Sequence, residues 1–315
     1  MMNPTLAVLK QQFQTGALSK PDFIHAALQR HKTLFEYVDI TRSTDVKEIV
    51  IAADGVSFVL GEERIRLYCP DNEARVAPIE VMNFNHYEPV ETQVMDLLAA
   101  NARTILDVGA NIGLYAIRFA KRLAQAHIYA FEPMPTSYAF LQRNVAANQV
   151  GSQISCFNYG LSDSSGTVNF YISPAASTNA SLLNVADAQD AQQVVGLTLT
   201  LDQWTANQKV APDFIKCDVE GAELLVFRGG CSTLTQYQPM VFAELLRKWS
   251  KPFGYHPNDM LSFFADLDYQ CFAVGDTGIH RITEVTDHTR ETNYAFLHSH
   301  KHADIIQNLM TLCCD

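Results

Sequence analysis

The stretch Thr104-Ile-Leu-Asp-Val-Gly-Ala-Asn-Ile-Gly-Leu-Tyr115 decides the fold of this chain. Its apolar start predicts a buried strand, Gly109 and Gly113 predict a turn, and the amphipathic segment 114–123 predicts a helix. A strand that passes through a glycine turn into a helix brings backbone amides and the positive end of the helix within reach of a ligand. We therefore expect a binding site at this turn.

Asp107 indicates which kind of ligand the turn binds. A dinucleotide turn has the spacing G-x-G-x-x-G and suits a pyrophosphate, which a carboxylate would repel. Here the spacing is D-x-G-x-x-x-G, which favours a ligand with a cationic head, such as the amino group of S-adenosylmethionine. An aspartate that caps the next helix is the alternative. The expected cofactor contacts at the turn are Asp107, Gly109, Ala110, Asn111 and Gly113.

A second acidic residue follows the next apolar run. Residues 127–131 predict a strand that ends at Glu132, and Pro133 comes directly after it. The two hydroxyls of a ribose need a bidentate acceptor at this place, so Glu132 is the expected ribose ligand. Capping of the following helix is the alternative, although Thr136 could serve there instead. Strand, turn, helix, strand and acid form a βαβ unit whose ligand lies beyond the carboxyl ends of the strands.

Two later strands also end in acids, and with them the chain resembles the FkbM family of S-adenosylmethionine-dependent methyltransferases. Residues 213–218 end at Asp218, with Glu220 just beyond, and residues 239–244 end at Glu244. The matching pieces, in order, are LDVGANIG (106–113), AFEPMP (130–135), NYGLSDSSG (158–166), LTLDQW (199–204) and IKCDVEGAE (215–223). The resemblance extends over roughly residues 88–275.

The resemblance implies an α/β chain with a class I methyltransferase (Rossmann-like) fold, in which a seven-stranded, mostly parallel sheet has helices on both faces. The methyltransferase domain is expected at 83–315. Before it, residues 1–82 predict a small α+β module of two helices and a hairpin, with Ser19 as a helix cap and Asp54-Gly55 as the hairpin turn. We expect this module to serve acceptor recognition or assembly, including formation of a homo-oligomer.

The resemblance also implies further cofactor contacts. Glu91 corresponds to an acid that the family places upstream of the turn, although a solvated glutamate on a helix face is equally compatible. The turn that begins near Leu161 is expected beside the adenine ring, where Asp163 could accept from the adenine amino group. An Asx-turn in D-S-S-G is the alternative for Asp163. The polar segment 173–195 is expected to be a lid over the crevice.

The catalytic candidates are Asp218, Glu220, Glu244 and His256. Methyl transfer to a hydroxyl needs an aligned acceptor and removal of its proton. Clustered carboxylates can raise one another's pKa and supply a base, or they can hold a divalent cation such as Mg²⁺, with Asp218 and Glu244 as the ligands. The alternatives are that Glu220 and Glu223 cap the helix that begins near Gly221, and that His256 is structural.

Composition limits the partners and the compartment. With 23 basic against 34 acidic residues the formal charge is −11, which argues against a nucleic-acid substrate. No apolar run is long enough for a membrane span, and the first residues lack the apolar region of a signal peptide. Seven cysteines without a C-x-x-C pair favour reduced thiols rather than zinc or disulfides. We expect a cytoplasmic protein with a small-molecule or glycan acceptor.

The predicted function is an S-adenosylmethionine-dependent O-methyltransferase that methylates a hydroxyl of a saccharide or glycolipid in polysaccharide biosynthesis. A polyketide- or peptide-tailoring O-methyltransferase is the alternative within the same reaction class. A non-catalytic binding module with the same fold is a third reading. An intact glycine turn and intact strand-end acids favour the enzyme.

Overall fold

The strand that precedes the glycine turn lies at the centre of the molecule. In a computed structural model, which describes residues 4–173, 176–183, 191–275 and 278–312, Thr104–Val108 pairs in parallel with a strand on either side. Residues in its middle are fully buried, because helices cover both faces of the sheet. The decisive sequence stretch therefore forms the buried strand, turn and helix that it predicts.

The helices and strands of the described residues follow one another as an α/β chain. The helices are α1 (Leu6–Gln14), α2 (Lys20–Ser43), α3 (Ala77–Phe84), α4 (Pro89–Leu98), α5 (Leu114–Arg122), α6 (Pro135–Ala147), α7 (Leu201–Gln208), α8 (Glu223–Arg228), α9 (Cys231–Tyr237), α10 (Arg247–Ser250), α11 (Pro257–Ala265) and α12 (Ala303–Leu312). The strands are β1 (Val46–Ala52), β2 (Gly55–Leu60), β3 (Ile65–Tyr68), β4 (Thr104–Val108), β5 (His127–Phe131), β6 (Ile154–Phe157), β7 (Gly160–Ser162), β8 (Gly166–Ser173), β9 (Ala176–Ser181), β10 (Gln192–Thr200), β11 (Phe214–Cys217), β12 (Met240–Glu244), β13 (Tyr269–Gly275), β14 (Gly278–Ile282) and β15 (Asn293–His298).

The large sheet has the strand order β14-β13-β15-β12-β11-β4-β5-β6 within the described residues. The pairings from β12 to β6 are parallel, whereas β15 runs antiparallel to β12 and β13, and β14 runs antiparallel to β13. The predicted fold class, a mostly parallel sheet with helices on both faces, is confirmed. The sheet has one strand more than the seven predicted, because β14 extends the edge as a hairpin with β13.

Alternate residues of the central strands point into two separate cores. Ile105 and Phe214 face the core formed with α4, α5 and α6, whereas Leu106 and Ile215 face the core that contains Trp204. This alternation follows from the two-residue period of a strand. Because both faces are filled, the open ends of the strands are left as the place where a ligand can approach the backbone.

The N-terminal segment contains a separate three-stranded antiparallel sheet, β1-β2-β3. Two asparagines of α6 bind the edge of this sheet. Asn144 accepts from the backbone N–H of Tyr68 and donates to its carbonyl, at 2.7 and 3.0 Å. Asn148 does the same with Arg66, at 2.9 and 2.7 Å. The apolar residues of this sheet also belong to the core shared with α5 and α6. The small sheet is thus attached to the large domain by packing as well as by sequence.

The helix start predicted for this segment is where the sequence indicates, and the predicted hairpin is also found. Ser19 caps α2 and accepts from the N–H of Asp22 at 3.3 Å. The hairpin of β1 and β2 turns at Ala53 and Asp54, one residue before the predicted pair, and Gly55, whose φ is +130°, is the first residue of β2. Helix α2 runs for 24 residues, from Lys20 to Ser43. Whether residues 1–82 form a domain of their own stays a prediction.

A second, four-stranded sheet of order β7-β10-β8-β9 lies beside the large one. Its strands β9 and β10 come from the segment predicted to be a lid. The turn predicted at residues 162–166 connects β7 to β8, which agrees with the sequence. Residues 174, 175 and 184–190 of the predicted lid lie outside the described residues.

Candidate active site

A cleft of about 960 Å³, in part open to solvent, lies at the carboxyl ends of β4, β5 and β11. We call the Gly109–Gly113 turn together with Glu132 the turn side of this cleft. We call the three strand-end acids Asp218, Glu220 and Glu244 the carboxylate side. The predicted site residues that line the cleft are Gly109, Ala110, Asn111, Glu132, Pro133, Leu161, Asp218 and Glu220. Residues from four different strand ends thus meet at one place, as the sequence predicts.

On the turn side, the backbone takes a shape that only glycine adopts easily. Gly109 has φ +81°, and a Cβ there would lie 1.8 Å from the carbonyl oxygen of Asp218. Gly113 has φ +94° and is the N-cap residue of α5. The N–H groups of Gly109 and Ala110 both donate to the carbonyl of Phe131, at 3.0 and 2.9 Å. The turn is therefore fixed between β5 and the residue that follows β11.

Glu132 is held by two backbone donors of the turn side. Its Oε2 accepts from the N–H of Asn111 at 2.9 Å, and its Oε1 accepts from the N–H of Met134 at 2.8 Å. Burial raises the pKa of Glu132 to about 7, against the opposing effect of these two donors. Helix α6 has Met134 as its N-cap residue without a side-chain cap, so neither Glu132 nor Thr136 caps it. The carboxyl group instead lines the cleft.

Asp107 lies beneath the cleft rather than on its surface. Its side chain is fully buried, and both oxygens lack a hydrogen bond of normal geometry from the described residues. Oδ1 lies 3.7 Å from Nζ of Lys216. Burial raises the pKa of Asp107, and the charge of Lys216 opposes this shift. Asp107 is therefore not exposed for the expected contact with a cationic ligand. The cation beside it is Lys216 of the chain itself.

Lys216 connects the two sides of the cleft. Its Nζ donates to the carbonyl of Gly109 at 3.2 Å and to Oδ2 of Asp218 at 3.3 Å. Burial lowers the pKa of Lys216, but the charges of Asp218 and Asp107 outweigh burial, so the net shift is upward. A permanently charged lysine at this point offsets two carboxylates and fixes the glycine turn. The sequence did not predict that Lys216 bridges the two sides.

The carboxylate side concentrates acidic groups with little compensation. Burial and the charge of Asp218 raise the pKa of Glu220. Burial and the charges of Asp218 and Glu220 raise the pKa of Glu244. Glu220 lines the cleft and has a left-handed backbone with φ +54°. Glu244, at the end of β12, is half-buried and is not among the lining residues. Protons are therefore held on this side near neutral pH, which suits a group that must exchange one.

Glu223 has a structural role, but not the role of helix cap that the sequence suggested as an alternative. Its Oε1 accepts from the N–H groups of Val219 and Gly221 at 2.9 and 3.1 Å, and the hydroxyl of Tyr255 donates to its Oε2 at 3.2 Å. This buried carboxyl group holds the loop that follows β11 in place. Helix α8 begins after Ala222 without a side-chain cap, so the alternative that Glu220 caps it is not found.

Six predicted site residues are not among those that line the cleft: Asp107, Gly113 and Glu244, described above, and Glu91, Asp163 and His256. Glu91, in the first turn of α4, accepts from Nδ2 of Asn293 at 3.4 Å. Asp163 is exposed and accepts from the hydroxyls of Ser162 and Ser164. His256 is exposed and caps α11, where its Nδ1 accepts from the N–H of Asn258 at 3.2 Å. For His256 the geometry matches the structural alternative rather than the catalytic prediction.

The sequence did not indicate the roof of the cleft. Tyr87, Tyr115 and Phe170 line it, and the Tyr115 hydroxyl donates to Glu88, which precedes α4 with φ +44°. Burial raises the pKa of Glu88 to about 7. Tyr87 reaches the cleft only through tertiary packing, so spacing along the chain does not reveal it. Ser181 and Leu182, from the predicted lid, also line the cleft.

The described residues contain no set of ligands for the predicted metal ion. No group of three or more His, Cys, Asp or Glu side chains there is arranged to hold a metal ion. Asp218 instead contacts the ammonium group of Lys216. A divalent cation held by Asp218 and Glu244 remains an untested prediction.

Comparison with known proteins gives a consistent picture. A model of the Methyltransferase FkbM domain matches residues 107–271, slightly more than half of the chain. The Hexuronic acid methyltransferase AglP of Haloferax volcanii is 30% identical over 147 residues, which cover 46% of this chain and 58% of that protein. The 2-O-methyltransferase NoeI of Sinorhizobium fredii is 29% identical over 161 residues, which cover 47% and 65%. This chain spans less than two thirds of the length of the curated relatives that it matches.

Among solved structures, the chain is similar to the methyltransferase FkbM of Methylobacillus flagellatus KT. The similarity covers 62% of this chain and 43% of that one, at 16% identity and a TM-score of 0.41. In the described part of the chain, no helix has the length and apolarity needed to cross a membrane.

Proposed function

The chain belongs to the FkbM family of S-adenosylmethionine-dependent methyltransferases, and from this premise we propose that it methylates a hydroxyl of a saccharide or glycolipid. The observation that supports O-methylation best is the arrangement of the cleft. A glycine turn with an acid suited to a ribose lies on one side, and strand-end carboxyl groups with raised pKa values lie opposite. The first arrangement suits the donor, and the second suits removal of a hydroxyl proton.

The turn side fits S-adenosylmethionine. The Oδ1 of Asn111 is buried without a hydrogen bond from the described residues, so it has an acceptor to offer a ligand, and Gly109 holds this turn against the carbonyl of Asp218. Glu132 lines the cleft, and each of its carboxylate oxygens accepts one backbone N–H, which leaves a further lone pair on each for the diol of a ribose. When bound, S-adenosylmethionine supplies a methyl group that is already activated on a sulfonium. We propose that Asp107 supports this side indirectly, by holding Lys216 against the carbonyl of Gly109.

The carboxylate side is proposed to hold and deprotonate the acceptor. Asp218 lines the cleft and is ion-paired through Oδ2 with Lys216, which leaves Oδ1 for an incoming hydroxyl. Glu220 and Glu244 are close enough for the charge of Asp218 to raise their pKa values, and both favour the protonated state. A proton taken by Asp218 can pass to one of these carboxyl groups once that group has released its own proton to solvent. Glu220 and Glu244 have the role of proton store, and Asp218 has the role of base.

A saccharide acceptor is supported by the lining of the roof and by one relative. Tyr87, Tyr115 and Phe170 present aromatic surface at the cleft, and aromatic rings pack well against the apolar faces of sugar rings. The relative AglP is by name a hexuronic acid methyltransferase, and NoeI is by name a 2-O-methyltransferase. For this chain we propose an uncharged sugar, because a carboxylate on the acceptor would face the acidic residues of the carboxylate side.

We further propose that the activity is cytoplasmic and that residues 1–82 act in acceptor recognition or assembly. The five cysteines in the described residues are free thiols, in keeping with a reducing compartment. The small sheet β1-β2-β3 is attached to α6, whose start follows Glu132, so it is close enough to the cleft domain to influence it.

The proposal is tested by methyl transfer from labelled S-adenosylmethionine to a panel of acceptors. The panel pairs neutral glycosides with the corresponding hexuronic acid glycosides, and adds phenolic and hydroxyacyl compounds as non-sugar alcohols. We expect label on a sugar hydroxyl, with neutral glycosides preferred over uronic ones, and mass spectrometry to locate the ether. Transfer to the non-sugar alcohols alone would contradict the saccharide proposal and favour a tailoring enzyme.

A further inference from the structure

Asn144, in helix α6, is a fully buried polar side chain that the proposed reaction does not use. Its Nδ2 donates to the carbonyls of Tyr68 and Ile112, at 3.0 and 2.8 Å, and its Oδ1 accepts from the N–H of Tyr68 at 2.7 Å. Both donor hydrogens of the amide and one of its acceptor sites are therefore used. A buried amide is costly unless it is hydrogen-bonded, so the position of Asn144 depends on these partners.

These hydrogen bonds join two parts of the chain that are far apart in sequence. Ile112 lies between Gly109 and Gly113, in the glycine turn, and lines the cleft. Tyr68, by contrast, is the last residue of β3 in the N-terminal sheet. A single side chain thus connects the turn side of the cleft to the sheet β1-β2-β3.

The two halves of the glycine turn are held from different directions. The N–H groups of residues 109–111 bind to acceptors at the end of β5 and in the residue that follows it. The carbonyl of Ile112, directly before the N-cap residue Gly113, binds to Asn144 of α6 instead. Loss of the Asn144 side chain would therefore release the second half of the turn and leave the contacts of the first half in place.

We propose that Asn144 is a positioning residue for the cofactor, through which the sheet β1-β2-β3 supports the turn side of the cleft. This role depends on the proposed assignment of the turn side to S-adenosylmethionine. It gives the N-terminal segment a part in donor binding, in addition to its proposed part in acceptor recognition or assembly. Because coupling between two sites is reciprocal, a ligand that binds better when the turn is in place must also stabilise β3.

Asn148, one helical turn further along α6, provides a matched control. It holds the N–H and the carbonyl of Arg66 in β3 as Asn144 holds those of Tyr68, at 2.9 and 2.7 Å. Its other hydrogen bond, at 2.8 Å, is to the carbonyl of Asn144 within α6. In the described part of the chain, Asn148 therefore attaches β3 to α6 without a hydrogen bond to the turn.

The first test is calorimetric titration of the full chain with S-adenosylhomocysteine. Asn144→Ala should raise the dissociation constant about tenfold, because a turn with an unsatisfied carbonyl is less often in the conformation that binds. Asn148→Ala should bind as tightly as wild type, although it also loses its hydrogen bonds to β3. Val145→Ala is the control for stability, since it removes buried apolar volume from α6 but no side-chain hydrogen bond, and it should also keep its affinity.

Glu132→Gln, measured beside these variants at pH 8, separates failure of this role from failure of the cofactor assignment. Unchanged affinity in Asn144→Ala, with weaker binding in Glu132→Gln, overturns the role of Asn144 alone. Unchanged affinity in both variants removes the cofactor from the turn side. An equal loss of affinity in Asn144→Ala and in either control overturns positioning through Ile112.

The second test uses the wild type and so does not depend on the folding of a variant. Amide hydrogen exchange is followed in β3 and, for reference, in β14, an edge strand of the large sheet. S-adenosylhomocysteine should slow exchange at the N–H of Tyr68 and leave β14 little changed, because Asn144 couples the turn to β3. No slowing in β3, or equal slowing in both strands, overturns the proposal.

Discussion

The two sides of the cleft hold their acidic residues in opposite ways. On the turn side, Glu132 accepts from two backbone N–H groups, and its position follows from the local chain. On the carboxylate side, Glu220 and Glu244 face other acids, and Lys216 is the cation that contacts Asp218. The difference indicates a rigid side that binds and a side whose protons can move. Donor and acceptor functions should therefore respond separately to substitution.

The largest expected effect is on turnover from the carboxylate side. Asp218→Asn removes the charge that accepts the proton, and Glu244→Gln removes a carboxyl group that can exchange one, so turnover should fall by roughly 10²–10⁴-fold in each. The affinity for S-adenosylhomocysteine should change little, because the turn side is intact. Glu284→Gln, at an exposed position, is the control for loss of a carboxylate.

The same two variants also separate a base from a metal. Loss of wild-type activity in a chelator, restored by magnesium, would assign Asp218 and Glu244 to a cation. Indifference to the chelator would leave the base. Normal turnover in both variants with the true acceptor would remove the carboxylate side from catalysis altogether.

The next largest effect is expected on the stability of the turn side. It separates two causes of destabilisation, the close contact at Gly109 and its left-handed backbone. Gly109→Ala places a methyl group against the carbonyl of Asp218 and should lower the free energy of unfolding by about 2–5 kcal/mol, from backbone strain plus overpacking. Gly16→Ala is the matched control: its φ of +76° is nearly the same, but nothing lies within 4 Å of its Cβ. It should cost about 1–2 kcal/mol.

Denaturant unfolding of both glycine variants measures this difference in the free energy of unfolding. Titration with S-adenosylhomocysteine then measures whether each variant still binds the cofactor product. Binding should be lost or greatly weakened in Gly109→Ala and retained in Gly16→Ala. Equal destabilisation of the two proteins would mean that contact between β4 and the loop after β11 does not restrict Gly109.

The sequence predicted those features whose conformation depends on residues close by in the chain. The strand and turn around Asp107, the acid after β5 and the cap at Ser19 each depend on neighbouring residues, and each is found. Strands β9 and β10 were missed because segment 173–195 is rich in small polar residues that do not favour strands, and they form by pairing with β8. β14 was missed for a related reason, since it is stabilised as a hairpin on β13.

In the site, too, the sequence predicted the residues with a local signal and missed those that depend on long-range contacts. Glycines and strand-end acids are visible in the chain, so most of the turn side could be named. The roles of Lys216, Tyr87 and Glu88 come from contacts between segments far apart in sequence, which spacing does not reveal. The burial of Asp107 was likewise hidden, because a strand-end aspartate has the same sequence pattern whether it faces a ligand or a lysine.

The most direct measurement of the central claim is calorimetric titration with S-adenosylhomocysteine at pH 6 and pH 8, in wild type and Glu132→Gln. In the free protein the pKa of Glu132 is about 7, raised by burial above that of an exposed glutamate, so the carboxyl group is mostly protonated at pH 6 and ionised at pH 8. Ribose hydroxyls donate to the ionised form. The dissociation constant of the wild type should therefore be about tenfold higher at pH 6 than at pH 8. Glu132→Gln should bind more weakly than wild type at pH 8 and show no such pH dependence. Equal affinity of the two proteins at pH 8, or the same pH dependence in both, would contradict the assignment of the turn side to the cofactor.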